Sequence, residues 1–413
     1  MSTVYRCLAG IDVHKRMLAV VVRRDTVGEP EYEQRKFGST KIELEHCAAY
    51  LRQHGVSEVV MESTAQYWRP VWYALESHFT LHLCHPLRTR GRQGRKTDFR
   101  DAKRLVNRLH SGDLEASFVP VAEPRDWRWL TRTRSDLNDK TGVVRYQVEG
   151  VLEECGFKVT GVVSDVFGAS GWAMLQRLCQ GDTNLDALVG EARGSLRKKE
   201  AALREAWKGH WSATARLLLQ QYVRQVEILR AQIAEIQTAV EQAMREYIPI
   251  RQRLCRIPGV DLTAAQGLLA EIGPRAAAFD SAEQLASWAG VCPGTQESAG
   301  VNYSARSPKG NRYLRRLLCE IAWAAVHCKE TFFQSVFLRL KARVEPKGAA
   351  WAVAHRIAKV VWRIWHNQVE YEEKGPAARN PNLMRRKLRR LIKDFQRIAG
   401  DLTALMAEAT GSA

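Results

Sequence analysis

Apolar positions near the start of the chain fall into three short runs, VYRCLAGIDV, RMLAVVVRR and EYEQRKF, between residues 4 and 37. Val, Leu and Ile dominate them, and residues 25–30 supply turn formers between the last two. Such runs bounded by turn residues predict strands. The pattern then switches to helical spacing in STKIELEHCAAYLRQHG, where Ser39 or Thr40 can cap the start and Gly55 the end. SEVVME reads as a buried strand, AQYWRPVWYALESH as a helix, and FTLHLCHP as a strand. TDFRDAKRLVNRLHSG reads as a helix ending at Gly112. The order βββαβαβα predicts an α/β domain with a mixed sheet.

Residues 120–210 read as mainly helical. From 219 a 3-4 spacing appears at Leu219, Tyr222, Val226, Leu229, Ile233, Ile236, Val240, Ala243 and Tyr247, with Pro249 closing the run. It suits either a coiled-coil seam, dimerising or between domains, or one long helix packed on its own domain. Residues 251–345 form another helical unit. KGAAWAVAHRIAKVVWRIWHNQVEY follows as an amphipathic helix with Trp351, Ala354, Ile357, Ala358, Val361, Trp362 and Trp365 near one side. Beyond Gly375, NPNLMRRKLRRLIKDFQRI is a basic helix carrying Leu383, Leu388, Leu391, Ile392 and Phe395. It suits contact with nucleic acid, or docking on the body with a solvated basic face.

Charge changes the picture more than composition does. Lys and Arg number 63 against 45 Asp and Glu, a net +18, which favours a polyanionic partner. Anionic membrane is the rival, but no stretch of 18 apolar residues and no lipidation signal supports it. The nine cysteines are scattered without a CxxC pair, so they read as reduced cytosolic thiols.

Acids sit inside this basic background. Asp12 ends the first predicted strand in AGIDVHK, and Glu62 ends the strand EVVME. Asp98 and Asp101 lie three apart at the start of a helix and share a face. Taken singly, each has an ordinary role: a dipole-favoured acid, a partner for arginine, a cap. Together, two strand ends and one helix face can converge on one point. Oxygen-rich clusters of this kind suit Mg²⁺, and two ions about 4 Å apart can stabilise both the attacking and leaving oxygens in phosphodiester chemistry. Arg95, Lys96, Arg100 and Lys103 would then draw a phosphate backbone towards the acids.

The second half carries a different signal. LCRIPGVDLTAAQGLLAEIG resembles a helix-hairpin-helix, except that Asp261 stands where a second glycine is expected. Such turns offer backbone N–H groups to phosphate; with Asp261 there, the turn also suits a purely structural role. FDSAEQLASWAG follows, with Ser281 and Gln284 spaced as a capping box. The loop VCPGTQESAGVNYSARSPKGNRYLRRLL then leads into a basic helix, with Ser298 followed by the small residues Ala299 and Gly300, and Lys309, Arg312, Arg315 and Arg316 beyond it.

GIDVHK, VVMEST, GRKTDFRDAKRL, IPGV, FDSAEQLASWAGVCPGTQESAG and SPKGNRYLRRLL, in this order, resemble the DEDD transposases of the insertion-sequence 110 family, which includes pilin-gene invertases and recombinases guided by a bridge RNA. The resemblance covers roughly residues 5–370. It implies a RuvC-like, RNase H-fold α/β domain over 1–160, with catalytic and metal-binding acids at Asp12, Glu62, Asp98 and Asp101. It further implies a mostly α-helical transposase domain over 251–372; the pattern itself places a helical segment with the coiled-coil spacing over 161–250, and the basic tail over 373–413 lies outside the resemblance. The nucleophile falls by motif position on Ser298, with Ser304 and Ser307 as fallbacks; Ala299 departs from the two glycines that follow the serine in many relatives. The implied activity is DNA recombination through a phosphoserine intermediate with Mg²⁺ or Mn²⁺. Implied partners are target and element DNA, a structured guide RNA, and further copies of the chain in a dimer or tetramer with composite sites, in a bacterial or archaeal cytoplasm at the nucleoid. Two rivals use the same residues differently: a junction-resolving nuclease with water as nucleophile, and a non-enzymatic nucleic-acid-binding protein.

Overall fold

The computed structural model describes residues 6–62, 65–84, 97–114, 116–120, 122–274, 278–294, 307, 309–376, 385, 388–396 and 398–399, and the backbone alone at 296–298 and 301–304. The chain forms two compact units, Met1–Val119 and Pro120–Ala413.

The first unit is a six-stranded sheet in the order β3-β2-β1-β4-β5-β6. Its strands are β1 (Cys7–Val13), β2 (Met17–Arg24), β3 (Glu31–Gly38), β4 (Glu58–Glu62), β5 (Thr80–Cys84) and β6 (Ala116–Ser117). β1, β2 and β3 are antiparallel neighbours, whereas β1, β4 and β5 run parallel. Among the described residues three helices pack with it: α1 (Lys41–Gln53), α2 (Trp68–Leu75) and α3 (Asp98–His110). The strand and helix order expected from the sequence is present, with β6 as an addition too short to leave a pattern.

Side-chain parity divides the sheet between these helices. Ala9, Ile11 and Val13 of β1 join Val59 and Met61 of β4 in a core that includes residues of α1 and α2. The alternate positions, Leu8 and Val60, face α3, which buries Ala102, Leu105, Val106 and Leu109 against them. That i, i+3, i+4, i+7 stripe is the apolar face of α3. Its polar face carries the basic residues.

In the second unit, α4 (Ala122–Glu154) and α8 (Ala213–Ala243) pack along each other. Arg134 meets Gln237, while Val144 and Leu229 line one groove, so the two helices run antiparallel. The stripe expected as a seam is used within the chain: Leu219, Val226 and Leu229 are buried in a core shared with Val144, Val148 and Leu152. Val223 belongs to that core, while Tyr222 packs at its edge. Tyr247 lies past the end of α8, in a short 3-10 turn.

Helices α5 (Ala169–Cys179), α6 (Leu185–Gly190) and α7 (Glu200–Ala206) lie between these two long helices in sequence. Next come α9 (Ile248–Cys255), α10 (Leu262–Ile272), α11 (Ala282–Ala289), the hairpin β7 (Gln296–Ser298) and β8 (Val301–Ser304), α12 (Arg312–His327), α13 (Phe332–Lys341) and α14 (Pro346–Asn367). α14 buries Val353, Ala354, Ile357, Ala358, Val361 and Trp365. Trp351 and Trp362 sit at the rim of that face, where their indole N–H groups donate to the Ser307 hydroxyl and the Phe279 carbonyl. An indole cannot be buried cheaply without such an acceptor. Among the described tail residues, Leu388, Leu391, Ile392 and Phe395 are exposed; Leu383 lies outside the described residues. No described helix is long and apolar enough to cross a membrane.

Candidate active site

Parity also places the acids. Asp12 follows Leu8 and Gly10 on the α3-facing side of β1, and Glu62 follows Val60 on the same side of β4. The last register pair of these parallel strands is Ile11 with Met61, so Asp12 and Glu62 are each one residue further on. Both carboxylates therefore leave the sheet at the same end and towards the same helix.

Gly10 lets α3 come down onto them. A Cβ built at Gly10 would overlap the Ala102 carbonyl oxygen and stand 3.0 Å from the Val106 nitrogen. With only hydrogen at that position, the helix backbone can rest on β1, two residues before Asp12. Asp98 and Asp101 occupy the first turn of α3, where the helix dipole favours negative charge.

The result is a set of carboxylates in one another's fields. Burial raises the Asp12 carboxyl above its ordinary range; His14 opposes that rise, while Asp101, Glu62 and Asp98 add to it. Three groups meet closely. His14 Nε2 lies 3.2 Å from Asp12 Oδ2 and 3.4 Å from Asp98 Oδ1. Each of the three offers a ligand atom within 4.8 Å of the other two, a spacing at which they can share one divalent cation. Lys36 approaches the other side of Asp98, Nζ to Oδ2 at 3.8 Å. Asp101 is turned to Arg104 at 2.8 Å, and Glu62 is half-buried at its strand end.

His14 escaped the sequence reading. Its signal was present in IDVHK: a residue two beyond Asp12 on an extended chain shares its face. His14 stands just past β1, in a turn closed by its own N–H donating to the Met17 carbonyl at 3.0 Å.

Of the basic residues expected around the acids, Arg100 is exposed on α3, and Lys103 places its ammonium 3.7 Å from the Tyr32 ring centre. Arg95 and Lys96 lie outside the described residues.

The serine candidates lie in the second unit, on a segment anchored at both ends. Gly290 closes α11 in the left-handed conformation, and Val291 behind it is fully buried. At the far end, Asn311 N donates to the Trp288 carbonyl at 2.9 Å, and a Cβ at Gly310 would collide with the Trp288 carbonyl and the Gly290 nitrogen. Asn311 also caps α12, its Oδ1 accepting from Tyr313 N at 3.0 Å and Leu314 N at 3.3 Å. Its amide donates to the buried Glu271 carboxylate at 2.7 Å, which Arg132 grips at 2.8 and 2.9 Å. The hairpin between these anchors pairs Ser298 with Val301 next to its tip, and Ser304 with Gln296 further back. Ser307 accepts the Trp351 indole N–H at 3.0 Å.

Beyond the hairpin, Lys309 and Arg312 are exposed and Arg315 is half-buried. Arg312 donates to the Tyr313 hydroxyl at 2.6 Å. Arg316 is held by Asp139 at 2.5 and 2.6 Å and by Glu320 at 2.7 Å, a grip that competes with any phosphate. The helix-hairpin-helix turn is likewise engaged within the chain. Gly259 has φ +85°, and a Cβ there would stand 2.5 Å from Ala325 N of α12. Asp261 is the N-cap of α10, accepting from Ala264 N at 2.7 Å, which accounts for an acid where glycine was expected.

Comparison with known proteins agrees in both units. Residues 9–157 match a DEDD transposase family of the insertion-sequence 110 type, and residues 251–336 match the family described as "Transposase IS116/IS110/IS902 family". A "Probable family 20 transposase" of Pseudomonas aeruginosa is 24% identical over 288 residues, 68% of this chain and 75% of the relative. A protein of Streptomyces coelicolor, "Insertion element IS110 uncharacterized 43.6 kDa protein", is 28% identical over 139 residues, 33% of each chain. With a DEDD match over the acids and an IS110-type match over the helices that flank the serine hairpin, the chain belongs to the insertion-sequence 110 family of DEDD transposases, enzymes that cut and rejoin DNA.

Proposed function

We propose that the chain recombines insertion-sequence DNA through a serine–DNA covalent intermediate, with a divalent-metal centre on its acids and an RNA encoded by the element as its guide. The observation that carries the metal centre is the meeting of Asp12 and Asp98 with His14, their ligand atoms within 4.8 Å of one another, at a point where burial first, and then Asp101, Glu62 and Asp98, raise the Asp12 carboxyl. The sheet order, antiparallel through β1–β3 and parallel through β1, β4 and β5, fits an RNase H-like domain. Asp12, Glu62, Asp98 and Asp101 would hold Mg²⁺ or Mn²⁺. Bound there, the ion supplies Lewis-acid polarisation of a scissile phosphate.

The protein's own part is positional. The strand ends and the first turn of α3 fix the carboxylates, and exposed bases such as Arg100 guide the phosphate backbone. Ser298 is the favoured nucleophile. Ser307 is fastened to α14 through Trp351, and Ser304 sits back in the ladder, whereas Ser298 stands beside the tip. Attack by the Ser298 oxygen on phosphorus would form the seryl phosphodiester and release a DNA hydroxyl. Attack by a DNA hydroxyl on that ester would restore the serine, so bond energy is conserved without ATP. Base pairing to RNA would choose the DNA, and the protein would read shape and backbone. Fourfold carboxylate chemistry alone also suits a hydrolytic nuclease, and the products tell them apart.

The test is a denaturing-gel assay of the chain with its guide RNA and labelled element-end DNA. Wild type should give a protein–DNA adduct that protease removes, and Ser298→Ala should abolish it while retaining DNA binding. Adducts persisting in Ser298→Ala would overturn the assignment, and hydrolysed ends without adduct in wild type would favour the nuclease.

A further inference from the structure

His14 has no place in a four-carboxylate motif, yet its ring nitrogen lies 3.2 Å from Asp12 Oδ2 and 3.4 Å from Asp98 Oδ1, and the three groups can share one cation. The contact follows from backbone geometry. Parity puts residue 14 on the face of Asp12, and the 14–17 turn holds it at the mouth of the sheet rather than letting β1 continue. The helix brought close by Gly10 supplies Asp98 from the other side. His14 is 46% exposed, so its ring is reachable from solvent.

The spacing suits a shared ion. An octahedral ion with ligands at about 2.1 Å sets neighbouring ligand atoms about 3 Å apart. The two His14 separations, 3.2 and 3.4 Å, are close to that edge. A plain hydrogen-bond clamp would use the same distances, so the two roles must be separated by metal chemistry. Nitrogen donors matter little to Mg²⁺, which takes oxygen ligands and keeps its waters, whereas imidazole is a good ligand for the first-row transition ions.

We propose that His14 is a nitrogen ligand of the metal centre and biases it towards Mn²⁺ over Mg²⁺. The proposal rests on the reading of the acids as a metal centre. Three elements converge on the ion: the end of β1 through Asp12, the turn after it through His14, and the first turn of α3 through Asp98. Glu62 and Asp101 remain for a second ion or for the same ion with substrate present.

The test uses the full chain without nucleic acid and the metal ions alone. Mn²⁺ binding is titrated by calorimetry, with Mg²⁺ as competitor, for wild type, His14→Ala, His14→Gln and Asp12→Asn. His14→Ala should weaken Mn²⁺ by roughly tenfold or more, the scale on which ligand-shell changes act. It should weaken Mg²⁺ by less than about threefold, because water can replace the lost donor. Pulsed electron paramagnetic resonance of bound Mn²⁺ should show imidazole ¹⁴N modulation in wild type and none in His14→Gln, which keeps a hydrogen-bond donor at that position. An unchanged Mn²⁺ to Mg²⁺ ratio in both His14 variants, or no nitrogen modulation in wild type, would overturn the proposal and leave His14 a clamp. Mn²⁺ binding unaffected by Asp12→Asn would instead remove the metal centre itself, and the His14 role with it.

Discussion

Burial and three neighbouring carboxylates hold the Asp12 carboxyl above its ordinary range, against the pull of His14. A carboxyl raised in the folded state contributes stability below its unfolded pKa and loses it as pH climbs through the raised value. At neutral pH without metal, ionised Asp12 therefore destabilises its own unit. Asp12→Asn removes the charge but keeps the shape, so in chelator the variant should melt above wild type at neutral pH. The gap should close as the pH falls below the ordinary carboxylate range. Differential scanning calorimetry across that range is the check, and the same variant should be inactive in the adduct assay. A variant that melts lower at neutral pH would mean that the charge is already compensated, with His14 and Lys36 as the groups at hand. A site that gives up stability for reactivity is expected where like charges are gathered for a ligand.

At the scale of elements, the site depends on how closely α3 rests on β1. Gly10→Ala puts a methyl group where the Ala102 carbonyl lies, and the atoms it meets are helix backbone, so no rotamer change can relieve the clash. Overpacking of this kind costs about 1–3 kcal/mol. It should also lift Asp98 and Asp101 from Asp12 and Glu62, and a displacement of about 1 Å can reduce rate by roughly a hundredfold. Urea unfolding and adduct yield measured on the same preparation check both halves; wild-type yield in a destabilised Gly10→Ala protein would uncouple α3 from the site. This element was legible from sequence because its apolar stripe and its two acids are both local patterns. Gly10 was not. A strand glycine declares only that something comes near, and the partner lies some 92 positions later in sequence, at Ala102. His14 was missed for a related reason: its neighbour Asp12 is local, but Asp98 reaches it only through the fold. The stripe of α8 shows the reverse case, since periodicity declared an apolar face but could not say whether α4 of the same chain or another copy would cover it. Asp261 fell between the two, a visible departure whose capping role needed the bond to Ala264 to explain it.

At the scale of the whole molecule, the proposed chemistry is divided between two units, with the candidate acids in Met1–Val119 and the candidate serine hairpin in Pro120–Ala413. The proposed reaction must bring one set of acids to one serine, and those can come from the same chain or from two copies. A mixture of inactive variants decides between them. In a dimer of one Asp12→Asn chain and one Ser298→Ala chain, sites built within a chain each carry one lesion, and both are dead. Sites built between chains segregate the lesions: one carries both, and the other carries neither. Random mixing of equal amounts makes about half the dimers mixed, so sites built across a two-fold axis should recover about a quarter of the wild-type adduct. The adduct should form on the Asp12→Asn chain, because that copy keeps its serine, and a size tag on either variant identifies it by gel mobility. No recovery, with mixed dimers demonstrated by tag pull-down, would place acids and serine of each site on one chain. Recovery on the Ser298→Ala chain would contradict Ser298 as nucleophile while keeping the division between subunits, so the residue and the assembly are tested by the same band.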